Sequence, residues 1–457
     1  MEQISHLTPG AAGGGAPPVV RMVNPADLKP AKRNARTHSK KQIAQLAASI
    51  RQFGFTNPVL TDDLGRIVAG HGRVEAAKSL GLALVPTLPM SHLSEADARA
   101  YALADNRLAE KSGWDDDLLK LELAELEVLV PFDLEVTGFS TGEIDVFLEP
   151  VSDDERLNAS PEPKRATAAV ERGDLWLLGD HKLLCGDARE PADFARLMGE
   201  ERARMVFSDP PYNVPIAGFV GGLGTVKHEE FAMAAGEMTP AQFVQFLATA
   251  FENAAAVSMD GAVHYQCMDW RHIEEMMEAG RSVYSQLLNM CVWSKDSAGM
   301  GTFYRSQHEL VFVWKVGDAS HLNLVELGKH GRYRTNVWNC RGVRKTGRQS
   351  ELDLHPTVKP VPLIIDAIKD ASKRGEIVLD CFGGSGSTLI AAERARRKAR
   401  LIEYEPKYCE VTIQRWEKQS GKKAVLAETG ETFSEVAARR NAEMDAMADA
   451  ALELEAA

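Results

Sequence analysis

The sequence predicts two α/β units: a small α+β unit first, then a larger one built on a mostly parallel sheet. Three observations carry this expectation. Strand-like and helix-like stretches alternate from about residue 171 to 420, which implies strands joined by crossover helices that cover both faces of a sheet. A strand, a Gly-rich turn, a helix, a second strand and a terminal acid follow one another from Asp380 to Glu403. Val151 to Val170 is rich in Asp, Glu, Ser, Pro and Lys and has no apolar period, the composition of a linker.

Bulk properties narrow the function classes. A chain of 457 residues, 44% hydrophobic and 26% charged, has ample material for two buried cores. Its six cysteines are scattered, with neither metal-ligand spacing nor a disulfide framework, so no metal is expected. Met1 to Val20 lacks a basic start followed by an apolar core, and no run of about 18 uncharged apolar residues occurs. A reducing, cytoplasmic setting is the expectation. The net charge of −12 argues against a simple nucleic-acid binder, but the average hides an asymmetry. Residues 91–160 hold 18 acids against 5 bases, whereas 296–350 hold 9 bases against 4 acids and 1–60 hold 8 against 2. Two basic surfaces are therefore available.

Residues 1–20 are rich in Gly, Ala and Pro and are expected to be disordered. Ser39 to Phe53 has the helical spacing Ile43, Leu46, Ala47, Ile50, with Gly54 as the stop. Pro58 to Thr61 and Arg66 to Ala69 read as strands about an Asp-Leu-Gly turn, and Val85 to Leu88 as a further strand. Between them lies Gly70-His71-Gly72-Arg73, opening a short helix. Two glycines about a histidine at a helix N-terminus suit a phosphate contact, through His71 and Arg73; a turn whose glycines merely permit positive φ is the alternative. Residues 111–150 are acidic, with Leu118, Leu121, Leu126 and Leu129 at helical spacing, and read as a helical extension. This layout resembles, over about residues 20–110, the N-terminal domain shared by ParB partition proteins and sulfiredoxin, and the helical extension carries the domain, 21–150, to its end. The resemblance implies a nucleotide or DNA-backbone ligand; no cysteine precedes Cys185, which excludes sulfiredoxin chemistry.

In the second unit, Leu175–Leu178 and Lys182–Leu184 read as a hairpin, and Met205–Phe207 as a strand running into Ser208-Asp209-Pro210-Pro211-Tyr212-Asn213. Thr239 and Pro240 start a helix buried through Phe243, Phe246, Leu247 and Phe251. Strands are expected at 262–267, 287–293, 309–315, 377–380 and 399–402, and helices at 270–279 (closed by Gly280), 360–373, from Thr388, and 406–418. His264 and His272 read as packed or surface histidines. Residues 421–457 read as an acidic tail, helical or disordered.

The chemistry sits in two motifs. Glu403 lies 20 residues past Gly383, the spacing that puts a carboxylate at the end of the next strand, where it can hold ribose hydroxyls. The loop Gly383-Gly384-Ser385-Gly386 does not match the pyrophosphate fingerprint, and suits a cofactor without phosphate better. Asp209, two prolines and Tyr212 at a strand's carboxyl end form a stiff, polar-then-flat edge that suits a planar base with an amino group.

Asp209-Pro210-Pro211-Tyr212, with Phe382-Gly383-Gly384-Ser385-Gly386 far downstream and His355-Pro356-Thr357-Val358-Lys359-Pro360 before it, resembles the beta group of S-adenosylmethionine-dependent DNA amino-methyltransferases. That resemblance implies a Rossmann-like methyltransferase fold over 171–420, catalytic roles for Asp209, Pro210, Pro211 and Tyr212, and a cofactor site of Asp187, Lys359, Asp380, Phe382, Gly383, Gly384, Ser385, Gly386 and Glu403. It assigns Asp187 to the adenine end, Glu403 to the ribose and Lys359 to the carboxylate of S-adenosyl-L-methionine. It also implies target recognition within 214–354, where Phe303, Tyr304 and Trp338 interleave with bases. Arg305, Arg332, Arg334, Arg341, Arg344, Lys345 and Arg348 are the candidate contacts to double-stranded DNA, and Gly218 to Gly224 a loop over the pocket. The expected activity is methylation of adenine N6 in DNA. N4-cytosine methylation, methylation of RNA or protein, and a ParB-like partition or regulatory protein are the alternatives. A nucleotide at the first unit and a homodimer are the remaining partners the reading admits.

Overall fold

The computed structural model describes residues 19–31, 33–130, 132–148, 169–214, 234, 236–296, 303–325, 334–340 and 359–456. The chain forms two compact units, Met1–Leu148 and Glu149–Ala457. No described helix is long and apolar enough to cross a membrane.

The first unit holds β1 (Arg21–Val23), α1 (Lys40–Phe53), β2 (Val59–Thr61), β3 (Ile67–Ala69), α2 (His71–Ser79), β4 (Val85–Pro89), α3 (Glu95–Lys111), α4 (Asp116–Leu129) and α5 (Thr141–Leu148). Its sheet has the order β1-β4-β2-β3, with β4 and β2 parallel. Leu28, Val59, Ile67, Val74, Ala77 and Val85 pack its core. Ser39 caps α1 by accepting from the Gln42 N–H, and Gly54 ends it at φ +79°, as the sequence indicates. A Cβ on Gly72 would come within 2.9 Å of Leu46, so this glycine is what lets α2 lie close against α1. The buried face of α4 differs from expectation. Leu119 and Leu123 are buried with Leu134 and Ile144, while Leu118, Leu121 and Leu129 are exposed. With leucines on most sides of this helix, periodicity alone could not choose the face.

The second unit continues with β5 (Leu175–Leu178), β6 (His181–Cys185), α6 (Pro191–Met198), β7 (Ala203–Ser208), α7 (Pro240–Ala256), β8 (Ser258–Met268), α8 (Ile273–Val283), β9 (Gln286–Ser294), β10 (His308–Lys315), β11 (Val337–Asn339), α9 (Val361–Ala371), β12 (Ile377–Asp380), α10 (Ser387–Arg394), β13 (Lys398–Glu403), α11 (Pro406–Ser420), β14 (Val425–Leu426) and α12 (Phe433–Ala456). The ten strands form one sheet in the order β11-β9-β10-β8-β7-β12-β13-β6-β5-β14. From β8 through β7, β12 and β13 to β6 the pairing is parallel throughout. Antiparallel pairings extend both flanks, and β11 joins β9 in parallel at one edge. Apolar clusters fill both faces, as the near-continuous hydrophobicity of the central strands requires.

One element departs from the sequence reading and a second goes beyond it. The helix expected to stop at Gly280 runs on to Val283, because Gly280 serves packing instead: its absent Cβ leaves room for the Trp314 ring. Residues 421–457, expected to be helical or disordered, contain the helix α12, and the segment is anchored as far as Arg440. Val425 and Leu426 pair with β5, Phe433 packs on Trp176, and the Arg440 guanidinium bridges to Asp174 at 2.5 Å. His264 is fully buried between Ser258 and the Tyr284 hydroxyl, and burial pulls its pKa down to about 3.

Candidate functional site

β7 and β12 are neighbours in the centre of the sheet. From β12 the chain crosses to β13 on one side, and from β7 to β8 on the other. Connections that diverge in this way open a crevice at the strands' carboxyl ends. A cleft lies there, lined by Gly186, Asp187, Asp209 to Tyr212, Lys359, Asp380 to Ser385, Glu403, Tyr404, Glu405 and Tyr408.

One wall is the Gly-rich loop between β12 and α10. Its backbone is tied on every side. Asp380 accepts from the Phe382 N–H at 3.0 Å, and Gly383 N–H donates to the Ile402 carbonyl at 2.9 Å. The two Glu403 oxygens accept from Gly384 N–H at 2.7 Å and Glu405 N–H at 2.8 Å. Thr412 and Arg415 donate to the carbonyls of Gly384 and Ser385. Gly386 does not line the cleft. It caps α10 at φ +79°, where a Cβ would come within 2.7 Å of Thr412, so its service is to the turn. Burial, only partly offset by these hydrogen bonds, pushes the carboxyls of Asp380 and Glu403 up to about 7.

At the end of the cleft beside β6, Asp187 pairs with Arg189 at 2.6 Å. Burial pushes its carboxyl up, but the guanidinium outweighs this and holds it below the usual range. The Arg172 guanidinium stands 3.1 Å over the Tyr404 ring.

The opposite wall is the end of β7. Tyr212 OH donates to Asp209 Oδ1 at 2.5 Å, and Lys359 Nζ donates to Asp209 Oδ2 at 2.5 Å. Lys359 also donates to the Tyr212 hydroxyl at 3.1 Å and pairs with Glu309 Oε2 at 3.0 Å. Lys295 donates to the other Glu309 oxygen. Lys359 is 5% exposed, so this cluster of two acids and two bases is closed to water on the lysine's side. Desolvation raises Asp209 above the usual carboxylate range against the pull of Lys359. Desolvation also pushes Glu309 up, but Lys359 and Lys295 together reverse it and hold Glu309 at about 2. Next to the motif, Asn213 takes the left-handed region (φ 52°) and binds the backbone of Gly236 and Met238, which fixes both ends of the chain between them.

Besides Gly386, the sequence reading and the structure part at three residues. Lys359, expected to meet a ligand carboxylate, instead holds Asp209 and Glu309. Arg334, expected to grip DNA, spans Asp366 and Asp370 of α9 at 2.7 and 3.1 Å; a guanidinium neutralised by two carboxylates is poorly placed to bind phosphate. Glu309 was missed, although a lone acid opening the apolar run Leu310 to Trp314 was a signal in the sequence. Arg305 is exposed, next to the exposed Phe303 and Tyr304. Arg332, Arg341, Arg344, Lys345, Arg348 and the Gly218–Gly224 loop lie outside the described residues. In the first unit, His71 Nε2 accepts from the Ala31 N–H at 3.2 Å, and Arg73 folds back over Gly70. Burial lowers the pKa of both side chains.

Comparison with known proteins adds the following. A family model described as DNA methylase, of the N6/N4 kind, matches residues 203–414. Models for the ParB-methyltransferase HTH domain and the ParB N-terminal domain match 117–172 and 15–107. The ParB-like nuclease domain-containing protein YnaK of Escherichia coli is 55% identical over 69 residues, 15% of this chain and 79% of YnaK. The DNA adenine methyltransferase YhdJ of the same organism is 26% identical over 247 residues, 47% of this chain and 76% of YhdJ. The solved PvuII DNA methyltransferase, cytosine-N4-specific, is 14% identical with a TM-score of 0.40, over 57% of this chain and 92% of that one. In order along the chain, then, stand a ParB N-terminal domain, a ParB-methyltransferase HTH segment and an N6/N4 DNA methylase domain.

Proposed function

We propose that this protein transfers a methyl group from S-adenosyl-L-methionine to the exocyclic amino group, N6, of adenine in duplex DNA. The observation that carries the reading is that Asp209-Pro210, the Gly383–Ser385 loop and Glu403 face one cleft from three adjacent strand ends. The donor set of the cleft fits this cofactor. Five carboxylates line it (Asp187, Asp209, Asp380, Glu403 and Glu405), and the one lysine among the lining residues is already paired to two acids. Such a site repels a pyrophosphate and attracts a cation. Glu403, fixed by two backbone N–H groups, is oriented to accept from ribose hydroxyls. When bound, the cofactor supplies an electrophilic methyl on a sulfonium.

The chain's own residues prepare the target. An aromatic amino group is a poor nucleophile because its lone pair is delocalised into the ring. Asp209 and the Pro210 carbonyl each accept one of its two N–H bonds, which localises the lone pair and aims it. Proline at 210 and 211 holds the backbone stiff, and the Tyr212 ring offers a flat face to a base flipped from the duplex. Alignment of this kind lowers a barrier by up to about 7–11 kcal/mol. Arg305, beside Phe303 and Tyr304, is the proposed contact to the DNA backbone among the described residues. The Asp at the head of the motif favours adenine.

The test is transfer from methyl-labelled cofactor to duplex DNA, with the product nucleoside identified by mass spectrometry. N6-methyladenine from the wild-type chain and none from Asp209→Ala, which still binds cofactor, is the expected result. N4-methylcytosine would overturn the base assignment alone, and transfer by Asp209→Ala would overturn the mechanism.

A further inference from the structure

Each oxygen of the proposed catalytic aspartate already accepts one short hydrogen bond within the protein. Tyr212 OH holds one of its oxygens and Lys359 the other, both at 2.5 Å. Each oxygen keeps one further lone pair, but with its charge shared between two donors the carboxylate is a weaker acceptor for a third. The Tyr212 hydroxyl, however, has a single proton and two carboxylates in reach: Asp209 Oδ1 at 2.5 Å and Glu309 Oε2 at 3.2 Å. Lys359 stands between the same two acids. Glu309 itself is held in place from behind by Lys295 and does not line the cleft.

We propose that Glu309 is a positioning residue for methyl transfer: it is the alternative acceptor that takes the Tyr212 hydroxyl and a larger share of Lys359 when Asp209 turns to the target amino group. The inference rests on the methyltransferase reading above. Its physical basis is acceptor competition. A phenol proton released from Asp209 in this part-buried cluster needs another acceptor, or the release costs part of the desolvation of a polar group. Glu309 provides that acceptor at no rearrangement of the backbone. Its charge also matters: with two anions sharing two lysines, the cluster is neutral, and Lys359 is not drawn wholly onto Asp209.

A double-mutant cycle tests this on the full-length protein. Glu309→Gln should lower kcat by about 10- to 100-fold, the size of one charge-assisted hydrogen bond. The KM for DNA and the cofactor Kd should stay near wild type, while the melting temperature falls because Lys359 and Lys295 lose a shared carboxylate. Tyr212→Phe removes the competing hydroxyl and keeps the ring. In that background the loss caused by Glu309→Gln should shrink to a few-fold, because Asp209 Oδ1 is no longer occupied. Glu309→Asp should recover part of the rate. Equal losses in the two backgrounds, or a kcat unchanged by Glu309→Gln, would overturn this inference while leaving the methyltransferase reading intact. Absence of transfer by the wild-type protein would overturn both.

Discussion

Replacing Lys359 with methionine tests the closed charge balance at the site. Methionine keeps most of the length and loses the charge. In the wild type, Asp209 and Glu309 are balanced by Lys359 and Lys295. The variant retains two acids and one base. At an effective dielectric of about 20, an ion-pair contact near 4 Å contributes about 4 kcal/mol. Lys359 makes two such contacts, at 2.5 and 3.0 Å, and gives up its own hydration to make them. Removing one partner of a buried pair costs about 3–5 kcal/mol, which is the loss expected here at pH 8. The deficit should depend on pH in a definite direction. Asp209, already raised by burial, rises further without Lys359 and takes up a proton. A carboxyl whose folded pKa lies above its unfolded value contributes stability that is present at low pH and lost as pH rises through the folded pKa. The difference from wild type should therefore shrink as pH falls from 8 towards 5. Urea unfolding of the full chain, followed by tryptophan fluorescence, reads it. A loss under about 1 kcal/mol at pH 8, or one independent of pH, would refute the closed balance.

Two further outcomes follow from the same geometry. Cofactor affinity should weaken on acidification below about pH 7, because Glu403 and Asp380 titrate near there and a protonated Glu403 no longer presents an anionic acceptor; calorimetry at pH 6 and 8 reads this, and equal affinities would count against Glu403 as the ribose contact. Gly280→Ala would put a Cβ 2.2 Å from the buried Trp314 ring, and should lower stability by about 1–2 kcal/mol, overpacking of about 1–3 being offset in part by the helix preference for alanine. A variant as stable as wild type would show that α8 shifts freely.

Much of the site was legible before any coordinates. Asp209, Gly383 and Glu403 announce themselves by local chemistry: an acid beside prolines after an apolar strand, and glycines followed at 20 residues by an acid. These signals are local because a loop must solve its backbone problem with its own residues. The partners of Asp209 were another matter. Lys359 is 150 residues away and Glu309 is 100, and no period or spacing links them. Their meeting depends on β10 lying beside β8, and β8 beside β7, which is a property of strand order.

The same division runs through the fold. The sequence by itself determined the two units, the alternation of strands and helices, the stop at Gly54, the helix start at Thr239 and the presence of both motifs, because each rests on periodicity or on the conformational limits of single residues. Only the tertiary structure decided which leucines of α4 turn inward, that Gly280 makes room for an indole instead of ending a helix, and that residues 425–440 complete the sheet edge. It also decided that Lys359 and Arg334 are bound to the protein's own carboxylates. The physical reason is shared by all of these. What a charged or apolar side chain does depends on which surface arrives opposite it, and that is set by long-range packing rather than by its neighbours in the chain.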